Sequence, residues 1–130
     1  MEYTSLEQGK MLMGLGLKVE GADLAWYKRE GGYYEIGLKD YAIAKDTFSV
    51  RSENIVPAWS VEALLEEIPE CIKVGDAYFK FLLLRKGGYW YATYRDEVFN
   101  QPIYNGTYIS LVNILVNIVK WLLENKHIER

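Results

Sequence analysis

The sequence predicts a single α+β domain spanning residues 1–130, with three helices packed on a mainly antiparallel sheet of about four strands and the C-terminal helix at the centre. Three observations carry this. Residues 77–85 and 89–96 are aromatic and aliphatic runs on either side of Gly87-Gly88, the pattern of a tight hairpin. Ser60 precedes Val61, Leu64, Leu65 and Ile68 at helical spacing, and Pro69 closes the segment. Residues 107–124 are apolar around most of a helical circumference, broken only by a stripe of Ser110, Asn113, Asn117, Lys120 and Glu124.

The elements follow in order. Thr4 and Glu7 have capping-box spacing, so a helix is expected over about Ser5 to Met13, with Leu6 and Met13 inward and Gly14 and Gly16 as stops. Leu24–Lys28 and Tyr33–Lys39 read as strands joined tightly at Gly31-Gly32. Residues 40–56 have no clear period and read as a loop or an irregular edge strand. Pro57-Ala58-Trp59-Ser60 leads into the second helix. Asn105-Gly106-Thr107 matches a glycosylation sequon but reads as turn chemistry, with Thr107 as the N-cap of the last helix.

Composition narrows the function. Half of the 130 residues are hydrophobic and a quarter are charged, which is enough for a real core. The net charge of −3 disfavours binding nucleic acid by phosphate neutralisation. Cys71 is the one cysteine and His127 the one histidine. Together they support neither an internal disulfide nor an ordinary zinc site, so no metal or cofactor is expected. Cys71 is expected to be buried or half-buried, and His127 exposed. Glu66-Glu67 and Asp96-Glu97 are expected to be solvated rather than catalytic. No phosphate loop, dinucleotide fingerprint or nucleophile elbow appears, so the protein is not expected to be an enzyme. The N-terminus lacks a secretory pattern, and the stripe on the last helix argues against a membrane span; the expected location is the cytoplasm.

The densest chemistry is Gly87-Gly88-Tyr89-Trp90-Tyr91-Ala92-Thr93-Tyr94-Arg95-Asp96. With Lys86 opposite Tyr89, strand alternation puts Phe79, Phe81, Leu83, Trp90, Ala92 and Tyr94 on a core face. The other face carries Tyr89, Tyr91, Leu82 and Leu84, rimmed by Lys80, Lys86 and Arg95. Tyr89, Tyr91, Lys80 and Arg95 are therefore the candidate binding residues for a planar or anionic ligand. The competing expectation is that another element or a second protein covers this face. Gly88, Tyr89, Tyr91 and Tyr94 also fall at positions of the aromatic motif of the RNA-recognition fold. Trp90, Gly87 and Ala92 break that motif, and RNA binding is not expected.

Thr4-Ser5-Leu6-Glu7-Gln8-Gly9-Lys10 with Leu15-Gly16-Leu17 and Ala22-Asp23 resembles the start of a group of small uncharacterised proteins. Pro57-Ala58-Trp59-Ser60, Leu64-Leu65 and Ile68-Pro69 are similar to their middle, and Trp121-Leu122-Leu123-Glu124-Asn125 with Ile128 to their end. These proteins are encoded by bacteriophages, prophages and mobile elements of gut bacteria. The resemblance implies one compact fold and no catalytic site. Where the family commonly has Gly after Asn125 this chain has Lys126, so Asn125 is expected to take the left-handed cap position. The expected role is a non-catalytic accessory one, by contact with another protein or with itself. Surplus apolar surface on the last helix and on the second hairpin face motivates that expectation. Small-molecule or nucleotide binding on the hairpin face is the alternative.

Overall fold

A computed structural model describes residues 2–39 and 54–128. Of the irregular stretch expected over 40–56, residues 40–53 lie outside the described residues, and the last two belong to a strand. The architecture is α+β, as the sequence predicts, but its strands divide into two antiparallel sheets rather than one.

Helix α1 spans Leu6–Gly14 and begins one residue later than expected. Ser5 is its N-cap: Gln8 N donates to Ser5 Oγ at 3.1 Å and Ser5 N donates to Gln8 Oε1 at 2.9 Å. Thr4 is unavailable as a cap because its Oγ1 accepts from Trp59 N at 3.0 Å. The buried residues of α1 are Gly9 and Leu12, with Leu6 and Met13 only half-buried. Helix α1 rests on the next sheet so closely that Gly9 lies against the carbonyl of Pro57.

After a short 3-10 turn at Val19–Gly21 come β1, Leu24–Lys28, and β2, Tyr34–Leu38. Their connection uses Gly31 and Gly32, both at positive φ (93° and 84°), a conformation glycine adopts without a Cβ penalty. Strand β3, Ile55–Ala58, pairs with the other side of β1, giving the order β2-β1-β3. Pro57, expected to lead into a helix, sits in this edge strand, where its missing N–H removes no ladder bond that the sheet needs.

Helix α2, Val61–Glu67, has Ser60 as its N-cap as predicted, with Ala63 N donating to Ser60 Oγ at 3.2 Å. Strands β4 (Cys71–Val74), β5 (Ala77–Lys86), β6 (Tyr89–Asp96) and β7 (Pro102–Tyr108) form a second sheet in sequence order. The β5–β6 register is the expected one, with Lys86 opposite Tyr89 and Phe81 opposite Tyr94. Strand β7 corrects the reading of 105–107 as a turn, since Asn105 pairs with Thr93 and Thr107 with Tyr91. Helix α3 consequently starts later, at Leu111, and Ser110 rather than Thr107 caps it.

Helix α3 runs to Glu124 and is the centre of the core. Ile114, Leu115, Ile118, Val119, Leu122 and Leu123 are essentially inaccessible. One side packs on β6 and β7, the other on α1 and α2. The helix therefore has no surplus apolar surface, because elements on both sides use it up. Its end is a left-handed cap at Lys126 (φ 60°), not at Asn125, whose φ is −99°. His127 N donates to Leu122 O at 2.9 Å and Lys126 N to Leu123 O at 3.2 Å, the two bonds of a Schellman motif.

Candidate functional site

Alternation in β5 and β6 turns Phe81 and Tyr94 inward and leaves Leu82, Leu84, Tyr89 and Tyr91 outward. Tyr94 is wholly buried, and Tyr94 Oη donates to Pro69 O at 2.6 Å. Burial first, and the Cys71 thiol second, push the Tyr94 hydroxyl well above the usual tyrosine range. Tyr94 is thus a packing and hydrogen-bonding residue of the core. The sheet has a different face for each half of the aromatic run.

No described element covers the outward face. Leu84 is 57% exposed, Tyr89 45% and Tyr91 39%. With Leu82, Lys86 and Arg95 they line an open groove of about 740 Å³ along the β5–β6–β7 surface. Its floor is Thr93, which is buried and donates from Oγ1 to Tyr104 O at 2.8 Å. All four residues singled out from the sequence (Tyr89, Tyr91, Lys80 and Arg95) point to this side.

They are not equally placed. Tyr89, Tyr91 and Arg95 line the groove, whereas Lys80 lies beyond it, 3.8 Å from Glu97. Arg95 itself donates from Nη1 to Asn100 O at 3.1 Å. Both contacts are solvent-exposed and weak, so either cation is free to turn to a new partner. Lys86, treated from sequence only as part of the rim, lines the groove directly.

The sequence reading missed the opposite end of the same hairpin. There Val98 and Phe99, 79% and 74% exposed, project from the β6–β7 connection beside Tyr78, Asp76 and Glu97. The connection is held in shape by Val98 N donating to Asp96 Oδ1 at 2.8 Å and Asp96 N to Gln101 O at 2.9 Å. Two large apolar residues inside an otherwise polar turn were the available signal.

The remaining candidates lie outside the groove or prove structural. Cys71 is exposed, not half-buried, because it sits on short edge strand β4 opposite Lys80. His127 is partly covered, its ring 5.0 Å from that of Trp121, because the Schellman turn folds it back. Among the described residues no three His, Cys, Asp or Glu side chains converge as metal ligands. The RNA-binding resemblance fails on topology, since β4 to β7 form an uninterrupted antiparallel meander. No helix among the described residues is long and apolar enough to cross a membrane. No protein-family model, curated protein or solved structure matches the chain.

Proposed function

We propose that this protein is a non-catalytic accessory protein, cytoplasmic and of the kind carried by phages and prophages, acting by protein contact through the outward face of β5–β6–β7. The observation that carries the reading is the contiguous exposure of Leu82, Leu84, Tyr89 and Tyr91 on an ordered sheet. Such patches on soluble proteins mark contact surfaces, and tyrosine brings large area at low conformational cost. Mobile-element origin is proposed on the resemblance of residues 4–23, 57–69 and 121–128 alone. The single cysteine supports a reducing compartment.

The test is solution mass by light scattering across a concentration series, for the parent and for Tyr91→Asp. A complex in the parent that dissociates in a folded Tyr91→Asp variant supports the reading. A complex indifferent to that substitution removes this face from its role.

One observation favours a second reading, a planar anionic ligand: the groove is open, with two tyrosines on its wall and Lys86 and Arg95 beside them. A thermal-shift screen of nucleotides and other planar anions addresses it. Stabilisation that disappears in Tyr89→Ala supports ligand binding, and no response to any of them rejects it.

A further inference from the structure

We infer that the partner of this face is a different protein, one that lays an extended acidic segment along the groove with apolar side chains between two carboxylates. The inference rests on the protein-contact reading above and adds the partner's chemistry and register.

Strands β4 to β7 carry their charge unevenly. Residues directly opposite in an antiparallel pair share a face, so Lys73, Lys80, Lys86 and Arg95 all stand outward. The fifth cation of these strands, Arg85, alternates to the other side and lies over the Trp90 ring at 5.4 Å. Their one carboxylate, Asp96, also alternates away and accepts from Val98 N at 2.8 Å. Outward the strands therefore bear cations and no anion, on a chain whose net charge is −3. Glu97, in the following turn, offsets Lys80 in part at 3.8 Å, whereas Arg95 beside it meets a neutral acceptor, Asn100 O. A second copy would bring the same cations to the contact, so the charges call for a partner of opposite sign.

The cations are also ordered along the strands. The paired rows run Lys80–Arg95, Leu82–Thr93, Leu84–Tyr91 and Lys86–Tyr89. Both end rows are charged and the two middle rows are not. The Thr93 hydroxyl is engaged by Tyr104 O, so the middle rows offer mainly apolar contact. Lys80 and Lys86 are six residues apart on β5, about 20 Å at the rise of a strand. An extended segment has the same rise and the same period of two. Carboxylates six residues apart in it reach both end rows, and the two residues between them on the same side face Leu82, Leu84 and Tyr91.

The same order argues against a nucleic-acid strand as occupant. A phosphate backbone carries charge at every nucleotide, whereas the middle rows hold no cation, and Leu82 and Leu84 offer no ring for a base to stack on.

Titration of the full chain, followed by its amide NMR resonances, tests this with a capped seven-residue peptide. It carries glutamate at both ends, phenylalanine at the third and fifth positions and serine elsewhere. Matched peptides carry glutamine or lysine at the ends. The glutamate peptide is expected to shift the Leu82, Leu84, Tyr89 and Tyr91 amides. The glutamine peptide is expected to bind about threefold more weakly and the lysine peptide about tenfold, with both gaps shrinking at high salt. Lys86 is exposed, so Lys86→Glu should leave the fold intact. That variant is expected to bind the glutamate peptide about threefold more weakly, and the lysine peptide more tightly, than the parent does. Tyr91→Ala should weaken all three. Equal binding of the three peptides, lost in Tyr91→Ala, overturns the acidic partner and leaves the contact face standing. Binding indifferent to Tyr91→Ala overturns both. No shift with the glutamate peptide at millimolar concentration also overturns the acidic partner, while the light-scattering comparison still decides the contact face. An oligothymidylate that shifts the same amides at lower concentration than the glutamate peptide makes the occupant a nucleic acid and overturns the inference as well.

Discussion

Thr4 and Trp59, 55 positions apart, are joined by two reciprocal hydrogen bonds: Thr4 N donates to Trp59 O at 2.9 Å, and Trp59 N donates to Thr4 Oγ1 at 3.0 Å. Both residues are wholly buried. The next residue extends the joint, since Ser60 N donates to Asp23 Oδ1 at 2.9 Å and Ser60 Oγ to Asp23 Oδ2 at 2.5 Å. Val61 N reaches Glu2 O at 3.3 Å. The N-terminal segment is thereby fastened to the start of α2. Thr4→Val keeps the shape but leaves the Trp59 N–H buried without an acceptor, which costs about 1–3 kcal/mol. Urea unfolding should show that loss as a lower midpoint with an unchanged slope. No loss would mean that the contact is not formed in solution.

Helix α1 approaches β3 through Gly9, where an added methyl would meet the Pro57 carbonyl. Helix propensity alone favours alanine over glycine by about 1 kcal/mol. Here the steric conflict with backbone wins, and Gly9→Ala is expected to destabilise by about 1–3 kcal/mol. Gly14 is the internal control, because nothing lies within 4 Å of its would-be Cβ and it is exposed. Gly14→Ala should be neutral or stabilising. Opposite thermal shifts for the two variants check the approach directly.

Lys126 carries a side chain in the left-handed region, which disfavours L-residues by about 1–2 kcal/mol. Glycine removes that strain but adds freedom to the unfolded chain. The balance favours Lys126→Gly by about 0.5–1 kcal/mol. A differential-scanning measurement should find the variant melting higher. A lower melting temperature would contradict the cap assignment.

Glu67 has its carboxyl pKa raised above 4.5, first by burial, next by Glu66, with Lys18 opposing. The folded state then holds this proton more tightly than the unfolded state. The resulting stability is fully present below about pH 4.5 and is lost as pH rises through the raised folded value. Glu67→Gln removes the ionisation, so it is expected to melt above the parent at pH 7. The gap should close as pH falls toward 4.5. A gap that stays constant with pH would show that Glu67 titrates normally.

Much of the hairpin was legible from sequence. Alternation has a period of two, and once Gly87-Gly88 fixes the turn, every residue of Phe79–Lys86 and Tyr89–Asp96 has an assigned partner and face. The candidate residues Tyr89, Tyr91, Lys80 and Arg95 share a side for that reason. The Val61–Glu67 helix was equally readable, because its cap Ser60 and its stop Pro69 both lie within a few residues of its ends. The Val98-Phe99 projection was not recognised, since its meaning depends on what lies beside it.

The sequence by itself determined the local periods: which segment is a helix, where a hairpin turns, and which side chains share a face. Tertiary structure alone decided the partners. It placed Pro57 in a strand against Ala25, made Asn105-Gly106-Thr107 the partner of the central strand, and sent the Thr4 hydroxyl to Trp59 instead of its own helix. It also covered α3 on both sides and put no described element over the outward face of β5–β6–β7. Periodicity is written in neighbours three or four residues apart, whereas edge strands and burial depend on which distant surface arrives. Weak strand formers such as Asn105 and Gly106 are extended here because β6 supplies the hydrogen bonds that their own propensity would not.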